Sequence, residues 1–162
     1  MEYWDILDEN GNKTGRTVKR GAPMSRGEYH LVVDIWIRNS KGEYLISKRT
    51  PTKFPEPGKW SPTCGNAVTG DDSITAALRE TKEELGITLD PTGGRKIKTY
   101  KVGINTIVDV WLFHREVDLN TIVLQAEEAD GVMWAAPEAI KRMIKNGEFI
   151  STFRMPYIDM LF

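Results

Sequence analysis

Three glutamates fall within five positions of the stretch RETKEELG, residues 79–86. On a helix, Glu80, Glu83 and Glu84 stand at i, i+3 and i+4 and share one stripe. An apolar stripe of Ile74, Ala77, Leu78, Thr81 and Leu85 is expected opposite them. Like charges at that spacing cost about 0.2–0.5 kcal/mol per pair. Glu83 and Glu84 also lie in the last turn, where the helix dipole disfavours anions by about 0.3–1 kcal/mol. Arg79 reaches Glu83 at i+4 and offsets part of this. A helix selected for stability alone would carry lysines there. Two readings follow: a solvated acidic face, the commoner case, or carboxylates gathered around a cation. In the second, a hard ion such as Mg²⁺ takes one or two carboxylates and leaves positions for waters and substrate phosphates. It polarises a phosphoryl oxygen and activates water for attack on phosphorus. Charge pattern by itself favours the solvated face.

The elements that must position these acids are legible in outline. Asp71, Asp72 and Ser73 offer cap chemistry before ITAALRETKEEL, and Gly86 stops that helix. Upstream, WDILDENGNKTGRTVKR carries an Asn10-Gly11 pair, which predicts a tight hairpin whose two central residues have positive φ. YHLVVDIWIRNSKGEYLISKR predicts two strands joined over residues 39–42. TPTKFPEPGKWSPTCGN holds four prolines and must be irregular. Strands are expected around RKIKTYKVG, TIVDVWLFHREV and DGVMWAA, and PEAIKRMIKNGEF starts a helix on proline and closes it at Gly147. This order indicates an α/β or α+β sandwich.

The chain has 162 residues, 40% hydrophobic and 28% charged, which suits one domain with a real core. Its 22 basic and 23 acidic side chains leave a formal charge of −1, so no nucleic-acid polymer is expected as a partner. Apolar runs are too short for a membrane span. MEYWDILDEN lacks the features of a secretory signal, and the single cysteine, Cys64, fits a reducing cytoplasm. A cytoplasmic location is therefore expected.

Read backward from the glutamates, GNAVTGDDSITAALRETKEELGI, residues 65–87, resembles the Nudix box. Gly65, Arg79, Glu80, Glu83, Glu84, Gly86 and Ile87 match it in register. The flanking segments are similar to a Nudix domain as well, so the resemblance covers most of the chain. It implies a Nudix-type α/β/α sandwich with a mixed sheet. Residues 1–162 then form one domain, with 1–28 an N-terminal β-hairpin extension and 29–162 the core. It also implies a Mg²⁺-dependent (Mn²⁺ as the alternative) hydrolase cleaving a diphosphate linkage in a nucleoside diphosphate derivative or related metabolite. Carried over by position, Glu83 and Glu84 are metal ligands, Glu80 a ligand or water-activating base, and Arg79 orients the carboxylates. The backbone carbonyl of Cys64 is a further ligand position, and a later acid completes the set, with Glu128, Glu127 and Asp109 as candidates. Asp71 replaces the usual glutamate and is one methylene shorter, which puts an ion pair with Arg79 in question.

Cys64, directly before Gly65, also falls in the register of type I isopentenyl-diphosphate isomerases, where a catalytic cysteine precedes the box glycine. SKRTPTKFPEPGKW is similar to the isomerase diphosphate-binding stretch, which makes Arg49 and Lys53 diphosphate-binding candidates in either enzyme. That enzyme carries a histidine after the box glycine, where this chain has Asn66, and an acid on the strand TIVDVWLF, where only Asp109 can serve. The default for Cys64 is a small packed residue, and for His30 and His114 a packed or exposed one. Of the tryptophans, Trp36, Trp111 and Trp134 are expected in the core, and Trp60, beside the proline-rich loop, is the candidate to stack on substrate. Three functions stay open: a Nudix hydrolase, an isomerase-like enzyme using Cys64, and a non-catalytic nucleotide-binding module. A homodimer is compatible with each.

Overall fold

A computed structural model describes residues 1–162. Nine strands and two α-helices follow in the order β1 (Tyr3–Leu7), β2 (Lys13–Lys19), β3 (His30–Arg38), β4 (Tyr44–Arg49), β5 (Trp60–Ser61), β6 (Thr63–Asn66), α1 (Ser73–Leu85), β7 (Gly94–Val102), β8 (Thr106–His114), β9 (Ala129–Ala135) and α2 (Pro137–Lys145). The central sheet runs β5-β4-β3-β8-β7, with β6 added to β3 and β9 to β4. β3 and β8 are parallel over their whole length, and the other pairs are antiparallel, so the sheet is mixed.

Alternation along β3 sorts the core into two layers. Val33, Ile35 and Ile37 pack with Ala76, Ala77 and Leu85 of α1. Trp36 points the other way and packs with Ile140 of α2 and with Phe149, Met155 and Tyr157 of the C-terminal segment. The fold is thus an α/β/α sandwich. No helix is long and apolar enough to cross a membrane.

Helix α1 begins where its cap chemistry predicts. The Asp72 carboxylate accepts from the Thr75 N–H at 2.8 Å, and Gly86 ends the helix at φ +71°. The glutamate stripe differs from expectation. Glu84 is buried and only Glu83 is well exposed. At about 100° per residue Glu84 lies about 20° around the helix from Ala77, on the flank of the buried face rather than opposite it.

The first hairpin also departs from its predicted turn. Leu7 pairs with Lys13 across a five-residue loop, and in it Gly11 alone has positive φ, +83°. Asp8 is the reason: its Oδ1 accepts from the N–H groups of Asn10 (2.8 Å) and Asn12 (2.9 Å) and holds a wider loop. This hairpin packs on the body of the protein. Trp4 stacks on His30 with ring centroids 4.0 Å apart, and Leu7 exchanges backbone hydrogen bonds with Tyr29.

Candidate active site

Helix α1 lies against β6, and Gly65 in β6 makes room for Glu80. A Cβ on Gly65 would overlap Cγ, Cδ and Oε2 of that glutamate. Space, not backbone conformation, is what requires glycine here. Beside it, Arg79 ties the acids together. Its Nη1 donates to Glu80 Oε1 and Glu83 Oε2, both at 3.0 Å. Its Nε (3.1 Å) and Nη2 (3.0 Å) hold Asp71 Oδ2, and Nη2 also donates to the Asn66 carbonyl at 2.8 Å. The short Asp71 side chain therefore makes its ion pair after all, because it precedes α1 and starts close to the guanidinium.

Across the cleft, the proline-rich loop brings in Lys53. Its ammonium donates to Glu84 Oε1 at 3.2 Å and contacts the Glu128 carboxylate. Glu128, just before β9, is thus the later acid that reaches the box. Glu127 is exposed, with its backbone carbonyl taken by Thr50 Oγ1. Asp109 faces away: in the parallel β3–β8 register it stands beside Val33, on the α1 side. There it pairs with Lys96 and Thr99 and lines a separate cavity. Arg49 is 6% exposed and its one side-chain hydrogen bond runs from Nε to the Pro55 carbonyl at 3.1 Å. Trp60 packs against the α2-side core, positioned by the β4–β5 pairing, and does not line the cleft. Trp36 is fully buried, and Trp111 and Trp134 pack on the α1 side, as expected.

A cavity of about 410 Å³ joins these groups, lined among others by Arg49, Lys53, Glu80, Glu83, Glu84 and Glu128. Burial pushes the Glu80 carboxyl up to about 7, with Arg79 pulling it down and Glu84 pushing it further up. Burial likewise raises Glu84, against the pull of Lys53. No three metal-ligating side chains converge on one point as they stand. Arg79 and Lys53 occupy the spaces between them, and the Lys53 ammonium serves as a stand-in cation for Glu84 and Glu128. Hard oxygen donors crowded around borrowed cations fit an ion such as Mg²⁺ or Mn²⁺.

Two further features line the cavity. Cys64 pairs with Asp34 across the β3–β6 ladder. Burial, with Asp34 and Glu84 nearby, pushes its thiol up to about 11, away from the thiolate form, although the residue keeps partial exposure on the cavity. Asp34 was not singled out by sequence reasoning, although a lone acid inside HLVVDIWI carries the same signal as Asp109 inside TIVDVWLF. Phe54 stands at the rim, 80% exposed.

Comparison with known proteins shows relatives in sequence and in fold. Residues 28–153 match the family model described as the NUDIX domain. The chain is 38% identical to the Listeria innocua protein named Uncharacterized Nudix hydrolase lin0387, over all of this chain (100%) and 94% of that one. It is 25% identical to the isopentenyl-diphosphate Delta-isomerase of Corynebacterium diphtheriae, covering 92% of this chain and 86% of that enzyme. Among solved structures, DR0079 of Deinococcus radiodurans superposes with a TM-score of 0.80 over 99% of both chains at 22% identity, a likeness of fold.

Proposed function

The chain belongs to the Nudix hydrolase superfamily, a class of acid-anhydride hydrolases, and from that premise we propose that it cleaves the diphosphate linkage of a nucleoside diphosphate derivative or related metabolite. The observation that carries this reading is Arg49. Its guanidinium makes no ion pair, and its unbonded nitrogens keep access to the cavity, where an anion can pair with them. Arg49 and Lys53 share the cavity with the glutamates, so a diphosphate lying between them satisfies both ends.

Glu83, Glu84 and Glu128, with the Cys64 carbonyl, would hold a divalent cation, which leaves Glu80 as the water-activating base. Such an ion, when bound, polarises a phosphoryl oxygen and lowers the pKa of water. Arg79 keeps Glu80 and Glu83 aimed, and Arg49 and Lys53 orient the diphosphate. Glu80, whose Oε2 is free of Arg79, takes the proton from water as the water oxygen attacks phosphorus, and the anhydride P–O bond breaks with the second phosphate leaving on the bridging oxygen. We treat residues 1–162 as one domain, acting in the cytoplasm on small molecules.

The isomerase-like reading needs an acid from β8 facing Cys64. The one acid of β8, Asp109, faces the other side of the sheet. The test is an assay with Mg²⁺ against nucleoside diphosphates, nucleotide sugars and dinucleoside polyphosphates, with isopentenyl diphosphate in heavy water as a separate arm. Multiple turnover of a diphosphate is expected. Deuterium incorporation with no hydrolysis across the panel overturns the reading.

A further inference from the structure

On the floor of the cavity sits a carboxyl that the mechanism above does not use. Asp34 lies mid-strand in β3, 8% exposed, with that exposure opening on the cavity. Its polar surroundings can be counted proton by proton. Trp36 Nε1 can only donate, and it donates to the Tyr157 oxygen at 3.0 Å. The Tyr157 hydroxyl therefore passes its own proton on to Asp34 Oδ2, at 2.8 Å. The Tyr100 oxygen lies 2.8 Å from the Arg154 carbonyl, a pure acceptor, and 3.2 Å from the same Asp34 Oδ2. Both tyrosines converge on one oxygen. Oδ1 has no partner within the chain.

The arrangement is built rather than incidental. Two rings from separate elements, β7 and the C-terminal segment, fix the carboxyl, and the Trp36 indole fixes one of those rings. The free Oδ1 is not sealed in the interior: it keeps the small exposure of the side chain on the cavity, where a ligand group can reach it. Val32, Val108 and Ile150 line the cavity with Asp34, together with the polar Tyr100, Thr106 and Arg154. Asp34 thus offers a fixed acceptor on the cavity wall, and its ladder partner Cys64 immediately precedes Gly65, on which Glu80 rests.

We propose that Asp34 is a specificity-determining residue, whose free carboxyl oxygen accepts a hydrogen bond from a hydroxyl or amino group on the non-phosphate part of the substrate. This rests on the diphosphate reading, which places the phosphates at the glutamate end and the remaining group on this floor. A hydrocarbon chain in the same place leaves Oδ1 unsatisfied, so the site discriminates against it.

Calorimetric binding of a nucleoside diphosphate series tests the assignment: ribose, 2′-deoxy and 3′-deoxy sugars, and amino against oxo bases. Wild-type protein is expected to bind one member lacking a single donor about 10- to 100-fold more weakly than its parent, the loss that follows from an unsatisfied buried acceptor. Asp34→Asn, nearly isosteric, turns an amide N–H toward the cavity and is expected to abolish or invert that ratio while leaving affinity for inorganic pyrophosphate within about threefold. Tyr100→Phe removes one hydroxyl contact to the carboxyl while keeping the ring that packs against the Trp36 cluster, and is expected to shrink the ratio, which keeps the test open if Asp34→Asn does not fold. An unchanged ratio in both, or in Tyr100→Phe alone where Asp34→Asn does not fold, overturns the proposal. Selective binding without turnover of any member would instead sink the hydrolase reading and leave the role of Asp34 standing.

Discussion

Replacing Gly65 with alanine adds one methyl group to the one place where β6 and α1 leave no room for it. The new carbon overlaps three atoms of Glu80, far inside the roughly 3.5–4.0 Å at which carbon atoms pack. A shift of a few tenths of an ångström does not relieve that, so the Glu80 side chain has to leave its position and its 3.0 Å contact with Arg79. Overpacking of this kind costs about 1–3 kcal/mol. For a chain of this size that lowers Tm by about 2–12 °C. Misplacing a catalytic carboxylate by an ångström or more is expected to lower kcat/KM about 100-fold. The assay is a double-mutant cycle with Glu80→Ala, read by chemical denaturation. With Glu80 truncated the methyl has space, so Gly65→Ala should then cost less than about 0.5 kcal/mol, leaving a coupling energy of about 0.5–3 kcal/mol. Equal costs in both backgrounds would refute the steric argument and point to backbone conformation at Gly65.

Other perturbations separate the parts of the site. Lys53→Met leaves Glu84 and Glu128 facing each other without a counter-ion, so Tm in chelator should fall and the rise on adding Mg²⁺ should exceed that of wild type, measured by scanning fluorimetry. Arg79→Lys cannot span Asp71, Glu80, Glu83 and the Asn66 carbonyl at once, and steady-state kinetics should show kcat/KM lowered about 10- to 100-fold. His30 is held at about 4, first by burial and then by Arg20, against an ordinary 6.5. The unfolded chain therefore binds more protons between those values, so this contribution is complete above pH 6.5 and is lost as pH falls to 4. The loss is at most about 3 kcal/mol. Urea unfolding at pH 7 and pH 4.5 should show His30→Phe losing less stability than wild type, and parallel losses would contradict it.

Local signals were readable wherever one segment decides the outcome. Asp72 caps α1 and Gly86 ends it because both act on adjacent backbone groups. The spacing from Gly65 to Glu84 was equally legible, since a helix carries residues a fixed distance along its axis. Glu84 departs from the stripe opposite the apolar face because helical angles put it beside Ala77. What stayed hidden depends on pairing between distant segments. Asp34 and Asp109 are both lone acids in apolar strands, and only the parallel β3–β8 register shows that Asp34 faces the glutamates' cavity and Asp109 the other side. Trp60 and Glu128 follow the same rule: β4 pairing draws Trp60 into the core, while Lys53 meets Glu128 from 75 residues away. The Asn10-Gly11 turn failed for a nearer reason, because Asp8 captured the backbone N–H groups first.

The central claim is that the acidic end of α1 is a cation-dependent hydrolytic centre. It is tested most directly by measuring initial rates of diphosphate hydrolysis against Mg²⁺ concentration, for wild type and Glu84→Gln side by side. The account predicts saturable, Mg²⁺-dependent turnover in wild type, and a loss of at least about 100-fold in the variant that added Mg²⁺ does not restore. Turnover that persists in chelator, or a Glu84→Gln protein as active as wild type, would contradict it.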